Sequence, residues 1–375
     1  MIDPKAFVDQ LAANDVDFFC GVPDSLLKEL CSCVVGSLPA DRRLTCANEG
    51  NAVGVACGWH LATGHAACVY LQNSGEGNVV NPLLSIADPD VYSIPMVLVI
   101  GWRGEPGVHD EPQHVKQGKV TLGLLEAMGV PYVVLDADGD WSKQVDALLA
   151  TMCADSRPVA LVVRKGTFAP YPGVKLPKRF VLSREQALEA VLDELDDNDL
   201  VVSTTGKTSR EVFEIRERRG QGHANDFLTV GGMGHTSSIA LGLALGQDHD
   251  VWCLDGDGSF LMHMGAFPVS AAVAPANFHY VVNDNGAHES VGGQPTVALD
   301  ADVPGILRAS GFDQVIEATT ADEIRRAMAM LRTSARSALV IYTDPGSRDD
   351  LGRPTTTPQQ NKQAMMELIG SSREA

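Results

Sequence analysis

The sequence predicts an α/β protein with two parallel-sheet domains, and three observations predict it. The chain has 375 residues, and at about 150 residues per domain that suggests two domains or one large one. Short β-rich runs alternate with helical patterns along most of its length. A stretch rich in proline and glycine then divides the alternation into two sets of similar size.

In the first set the short β-rich runs 67–71, 96–100, 132–135 and 159–163 read as buried strands. Strands separated by helical segments imply a parallel sheet with helical crossovers. Within 165–180, Pro170, Pro172, Gly173 and Pro177 disfavour both helix and central strand, so this region reads as a linker. The second set has strands at 200–203, 251–254, 279–282 and 338–342, with helical patterns at 184–195 and 321–331. An amphipathic helix is expected at about 359–369, after an irregular segment at 347–358. The domains are placed at 1–167 and 183–375, with 168–182 as the linker.

Composition narrows the function. Hydrophobic residues make up 45% and charged residues 21%, the balance of a folded globular chain. The 48 acidic residues outnumber 29 basic ones, for a net charge of −19, so the clustered cations that nucleic acid requires are absent. An anionic substrate must therefore meet locally concentrated cations. No apolar run reaches membrane-spanning length, and the start Met1-Ile2-Asp3-Pro4-Lys5 shows no secretory signal. Eight cysteines without a Cys-x-x-Cys pair read as mostly buried thiols of a cytoplasmic protein. The segment 75–80, Gly-Glu-Gly-Asn-Val-Val, lacks the third glycine of a nicotinamide fingerprint.

The most informative turn is Asp255-Gly256-Asp257-Gly258-Ser259, at the end of one expected strand. Its glycines let backbone N–H groups approach phosphate oxygens, and Asp257 can ligate the accompanying divalent ion. An ordinary turn has the same composition. The next strand runs into Asn283-Asp284-Asn285-Gly286-Ala287-His288, and adjacent parallel strands place their C-terminal turns side by side. Asp257 and Asn285 can then meet, and octahedral Mg²⁺ would accept both together with a backbone carbonyl, two diphosphate oxygens and water. In the first half, Asn48-Glu49-Gly50 opens a helical pattern. Glu49 reads either as a desolvated catalytic carboxyl or as a helix-start glutamate favoured by the dipole. Gly50, Gly54 and Gly58 share one helix face, suited to close packing inside the domain or to a subunit contact.

The pairing of Gly-Asp-Gly with a following Asn-rich turn resembles the thiamin diphosphate signature, with Asp284 in place of the first Asn of its pair. Longer blocks resemble the phosphonopyruvate decarboxylase family: 21–25, 72–78, 103–107, 110–114, 285–295 and 350–354. Glu76 departs from the apolar residue expected in that family. The resemblance implies a pyrimidine-type domain followed by a diphosphate-type domain, with no middle domain. It implies thiamin diphosphate and Mg²⁺ as cofactors, with Asp257, Asn285 and the Ala287 carbonyl as metal ligands and Asn283 as the competing ligand. Glu49 would hydrogen-bond the aminopyrimidine N1′. Gly231 and Met233 would contact and bend the cofactor, or Met233 would simply fill the core. Gly206, Lys207 and Thr208, with Gly256, Gly258 and Ser259, would hold the diphosphate.

The activity implied is decarboxylation of a small anionic 2-keto acid, 3-phosphonopyruvate, to phosphonoacetaldehyde and CO₂, as in phosphonate biosynthesis. Sulfopyruvate decarboxylation and carboligation are the alternatives. Arg103 is the first choice for the phosphonate because arginine grips such oxygens in bidentate fashion, with Ser25 and Lys116 beside it. Lys207, Arg210, Arg348 and Arg353 are further candidate cations at the mouth, or solvated surface charge. Asp24, His109 and His114 are candidates for proton handling. Active sites in this family form where domains of different subunits meet, so a homo-oligomer, at least a dimer, is expected.

Overall fold

The computed structural model describes residues 1–374. They form two compact units, Met1–Lys175 with Ser290–Gln294, and Leu176–Glu289 with the chain from Pro295 onward.

The first unit is a six-stranded sheet of β1 (Val16–Gly21), β2 (Arg43–Thr45), β3 (Ala66–Gln72), β4 (Met96–Gly101), β5 (Tyr132–Leu135) and β6 (Pro158–Val163). The order is β2-β1-β3-β4-β6-β5 and every pairing is parallel. β4 and β6 are buried along their whole length. Helices cover both faces of such a sheet, so these strands read as continuous apolar runs. One face packs on Phe7, Leu11, Leu30 and Leu149, the other on Ala52, Val53, Val79 and Leu125. Burying each such aliphatic side chain contributes about 1.5–3 kcal/mol. Asn48 caps the helix Glu49–Thr63 by accepting from Gly50 N at 2.8 Å, and Gly64 ends it in a left-handed turn at φ 78°.

The second unit repeats the plan with β7 (Leu200–Ser203), β8 (Asp226–Leu228), β9 (Val251–Gly256), β10 (Phe278–Asp284), β11 (Gln314–Ala318) and β12 (Ser337–Tyr342). Its parallel order is β11-β12-β10-β9-β7-β8. Helices Arg184–Leu192 and Ala321–Arg332 both begin with complete capping boxes, Ser183 with Gln186 and Thr320 with Glu323. The final helix starts at Pro358 and runs to Glu374, longer than the expected 359–369.

All eight expected strands are present, most of them one or two residues longer. Within the two six-stranded sheets four strands were not expected: β1, β2, β8 and β11. β1 is interrupted by Asp17, β2 and β8 have three residues each, and β11 is a partly exposed edge strand carrying Gln314 and Glu317. None forms the continuous apolar run that marks a central strand. Residues 169–182 are irregular, while Phe168 is buried and packs edge-on against Phe7 at 5.2 Å. Seven cysteines are buried and Cys153 is exposed, all as free thiols. Among the described residues no helix is long and apolar enough to cross a membrane.

In both sheets two neighbouring strands send their connections in opposite directions, β1 and β3 in the first unit and β7 and β9 in the second. Open α/β sheets bind ligands beyond the strand C-termini at such a switch point. The turns found there are 21–25 and 72–78 in the first unit, and 204–208 and 256–259 in the second.

Candidate active site in two half-sites

In the first unit the turn after β3 is built around Glu49. This glutamate is 5% exposed at the head of its helix, and its Oε2 accepts from Asn78 Nδ2 at 2.7 Å. A Cβ at Gly75 would collide with the Glu49 carboxyl, so glycine there is what lets the turn close over it. Asp24 follows β1 and is fully buried. Burial lifts its carboxyl to about 6, against the opposing pull of the Leu26 N–H and the Arg103 guanidinium. Gly101 leaves the space that Asp24 occupies.

Arg103 lies just past β4, and its fork is engaged by Asp110. Nε donates to Asp110 Oδ2 at 2.8 Å, Nη2 to Oδ1 at 2.5 Å, and Nη1 to Ser25 Oγ at 2.7 Å. Against the upward push of burial, Arg103 and the N–H groups of Glu111 and Gly104 hold Asp110 well below the usual carboxylate range. The structure thus brings Arg103, Ser25 and Asp24 together, but the bidentate face of the arginine already holds a carboxylate. His114 is buried with Nδ1 3.2 Å from Gln117 Oε1. Burial, then the charge of Arg103, lowers its pKa, which favours the neutral ring. His109 and Lys116 are exposed.

Glu76, where an apolar residue was expected, is 2% exposed, and burial pushes its carboxyl up to about 8 against the pull of the Thr121 hydroxyl. It stands in the same turn as Asn73, whose Nδ2 donates to Arg103 O at 2.8 Å and to Thr121 Oγ1 at 2.9 Å.

In the second unit β9 runs through Gly256, and the helix that follows, Asp257–Met262, has only six residues. Asn283 pairs with Gly256 in the β9–β10 register, so Asp284 and Asp257 stand one step beyond, at the ends of neighbouring strands. Burial and then the charge of Asp284 push Asp257 up to about 7. Asp257 Oδ2 accepts from Thr296 Oγ1 at 2.5 Å. Asn285 Oδ1 accepts from Ala287 N at 3.1 Å, and the same N–H lies against the Asp257 carboxyl. Asp257 and Asn285 therefore converge, as the sequence spacing predicted. Asn283, the competing ligand, is turned away and bonds Thr343 Oγ1 at 2.9 Å.

Glu289 ties this turn to the expected diphosphate residues. It accepts from Asn285 Nδ2 at 3.0 Å, from Lys207 Nζ at 2.9 Å and from Arg184 Nη1 at 2.5 Å. Arg184 also makes a bidentate contact with buried Glu211 at 2.6 and 2.7 Å. Lys207 donates a second bond to Ser347 Oγ at 2.7 Å and starts the helix Lys207–Arg218, next to buried Thr208 and to Gly206 at φ 96°. Gly234 N donates to Ser259 Oγ at 3.1 Å, which fastens the loop of Gly231 and Met233 to the Gly-Asp-Gly turn. A Cβ at Gly258 would touch both the Met233 methyl and His288, so Met233 does lie over the turn. Arg348 is paired with Glu185, Glu214 and Asp350, and Arg210 donates to the Leu351 and Gly352 carbonyls. These two cations hold the segment 347–352.

A divalent cation fits this second half-site. Asp284 is fully buried, burial raises its carboxyl to about 6, and its Oδ2 has no hydrogen-bond partner among the described residues. No group of three His, Cys, Asp or Glu side chains is arranged for a metal among those residues. The expected donors, the Asp257 carboxyl, the Asn285 amide oxygen and the Ala287 carbonyl, are a hard oxygen set suited to Mg²⁺. Sequence reasoning gave no weight to Glu289 or Thr296. Glu289 lay inside a quoted block, four residues after Asn285, and Thr296 carried no signal.

Comparison with known proteins supports the same division. The thiamine pyrophosphate enzyme N-terminal TPP binding domain matches residues 4–133, and the C-terminal TPP binding domain matches residues 204–342. The chain is 35% identical to a phosphonopyruvate decarboxylase of Streptomyces viridochromogenes, over 96% of this chain and 93% of the relative. It is 34% identical to the phosphonopyruvate decarboxylase of Streptomyces hygroscopicus, over 96% and 92%. A sulfopyruvate decarboxylase of Methanosarcina acetivorans is 27% identical, over 95% of each chain.

Proposed function

The chain belongs to the phosphonopyruvate decarboxylase family of thiamine pyrophosphate enzymes, and from that premise we propose that it decarboxylates 3-phosphonopyruvate to phosphonoacetaldehyde and CO₂. The observation that carries this reading is the near full-length likeness to two phosphonopyruvate decarboxylases at 35% and 34% identity, against 27% for the sulfopyruvate enzyme. It is a carboxy-lyase reading, with thiamin diphosphate and Mg²⁺ as cofactors, acting in the cytoplasm.

Thiamin diphosphate, when bound, supplies the carbon nucleophile and the electron sink for loss of CO₂. The residues of the chain bind it and manage protons. Glu49, oriented by Asn78, shares a proton with the pyrimidine N1′. Asp257, Asn285 and the Ala287 carbonyl hold Mg²⁺. Gly206, Lys207, Thr208, Gly256, Gly258 and Ser259 face the diphosphate. Gly231 and Met233 set the angle of the rings. Arg103, Ser25 and Lys116 recognise the anion, and Asp110 must yield part of the Arg103 fork for a bidentate grip. Asp24, with its carboxyl lifted to about 6, is suited to give and recover a proton near neutral pH. His114, its pKa lowered by burial, can accept one, and His109 stands exposed as the other candidate.

A homo-oligomer, at least a dimer, is part of the proposal. Gly50 packs on the Asn78 carbonyl, but a Cβ at Gly54 or Gly58 would meet nothing within 4 Å. Packing inside the unit therefore accounts for one glycine of that face, and a subunit contact would account for the other two. The test of function is kcat/KM for 3-phosphonopyruvate, sulfopyruvate and pyruvate with Mg²⁺ and thiamin diphosphate. Pyruvate lacks the second anion that Arg103 and Ser25 would bind, which predicts discrimination of at least about a hundredfold. Comparable values for pyruvate, or a preference for sulfopyruvate, would overturn the assignment.

A further inference from the structure

Asp284 is not among the metal ligands Asp257, Asn285 and Ala287 proposed above, yet it is a second buried carboxyl beside Asp257. It is fully buried, it stands one step past Asn283, the last β10 residue paired with β9, and so beside Asp257, and its charge raises the Asp257 carboxyl. One oxygen, Oδ1, accepts from Gly286 N at 3.0 Å, while Oδ2 meets nothing among the described residues. A buried acceptor with no partner is destabilising. Two neighbouring buried carboxyls add repulsion, and among the described residues no basic side chain is hydrogen-bonded or ion-paired to either of them. The basic groups nearest in the network are spoken for: Lys207 is held by Glu289, and Arg184 by Glu289 and Glu211.

We propose that Asp284 gives its free oxygen to the same cation as Asp257 and Asn285, so that the second unit binds a divalent ion before thiamin diphosphate and without it. The inference rests on the metal site of the preceding section. Its physical basis is ligand charge: affinity for hard divalent cations rises with the number of carboxylates in the site, and a second carboxylate makes diphosphate oxygens unnecessary for first capture. The ion in turn meets the acceptor that the protein leaves open.

Mn²⁺ titrated into the cofactor-free protein, with free Mn²⁺ read by electron paramagnetic resonance and Mg²⁺ as competitor, tests this. Wild type is expected to take up a single Mn²⁺ ion with no thiamin diphosphate present. Asp284→Asn, which keeps the shape and removes the charge, should weaken uptake at least about tenfold. Without metal the variant should unfold at a temperature no lower than wild type, because a repelling carboxyl has gone. A wild type that takes up Mn²⁺ only after thiamin diphosphate is added overturns the proposal, and so does an Asp284→Asn variant with unchanged affinity. Asp257→Ala separates the two readings. If it abolishes uptake while Asp284→Asn does not, the metal site stands and the role of Asp284 falls. If Asp257→Ala binds Mn²⁺ as wild type does, both fall.

Discussion

The two half-sites differ in how their buried acids are arranged. In the first unit two of the acids have side-chain partners, whereas Asp24 and Glu76 keep oxygens with no hydrogen-bond partner among the described residues and neither is raised by a neighbouring carboxyl. Glu49 has Asn78, Asp110 has Arg103, and Asp24 and Glu76 are lifted by burial to about 6 and about 8. In the second unit Asp257 and Asp284 stand side by side with one oxygen unmet, while the local cations are bound to Glu289 and Glu211. The first half-site is poised to hold and move protons. The second is a set of oxygens whose chemistry suits a positive ion.

That contrast can be broken at four points. The largest effect is expected from Asp257→Ala, which should remove Mg²⁺-dependent cofactor retention and lower turnover at least about a thousandfold. Equilibrium dialysis of thiamin diphosphate with and without Mg²⁺ reads the first, and steady-state kcat the second. Next is Glu49→Gln. It should retain cofactor but slow exchange of the thiazolium C2 proton about a hundredfold or more, followed by proton NMR, because an amide cannot share a proton as a carboxyl does.

A smaller effect should follow Glu289→Ala, which leaves Lys207 and Asn285 without their common acceptor and Arg184 with Glu211 alone. Loss of one partner from a buried charged network costs about 3 kcal/mol, read by denaturant unfolding, and Mg²⁺ affinity should fall with it. The smallest effect belongs to Glu76. Its folded pKa of about 8 lies above the ordinary carboxyl value of 4.5, so the unfolded chain releases this proton first as pH rises. Its contribution to stability is therefore lost between pH 4.5 and 8, and is level above that. Glu76→Leu should remove this downward slope and stabilise the protein at pH 8 by a few kcal/mol at most, on the order of single-site effects in a core. Unfolding curves of both proteins at pH 5 and pH 8 give the comparison.

The legibility of the sequence follows the same physical divide. Strands buried on both faces announce themselves as apolar runs, so β3, β4, β6, β9, β10 and β12 were readable. β1 and the short or edge strands β2, β8 and β11 were not, because Asp17, Arg43, Asp226 and Glu317 interrupt any run. In the site, residues tied to backbone chemistry were legible: Asp257 in a glycine turn, Asn285 one crossover on, Glu49 at a helix start. The side-chain partners were not. Nothing local to Glu289 says that it gathers Asn285, Lys207 and Arg184, since those contacts span 4, 82 and 105 positions. Arg103 illustrates the converse: its charge was legible from sequence, but its commitment to Asp110 depends on how the loop folds back.

The central claim is that this chain is a phosphonopyruvate decarboxylase that depends on a divalent cation and thiamin diphosphate. Incubation with 3-phosphonopyruvate, followed by phosphorus NMR and by trapping of CO₂, tests it most directly. The account predicts phosphonoacetaldehyde and CO₂ in equal amounts, only when both Mg²⁺ and thiamin diphosphate are supplied, and no change in that product when an acceptor aldehyde is added. Unchanged 3-phosphonopyruvate in the complete mixture, or a carboligation product in place of the aldehyde, would contradict it.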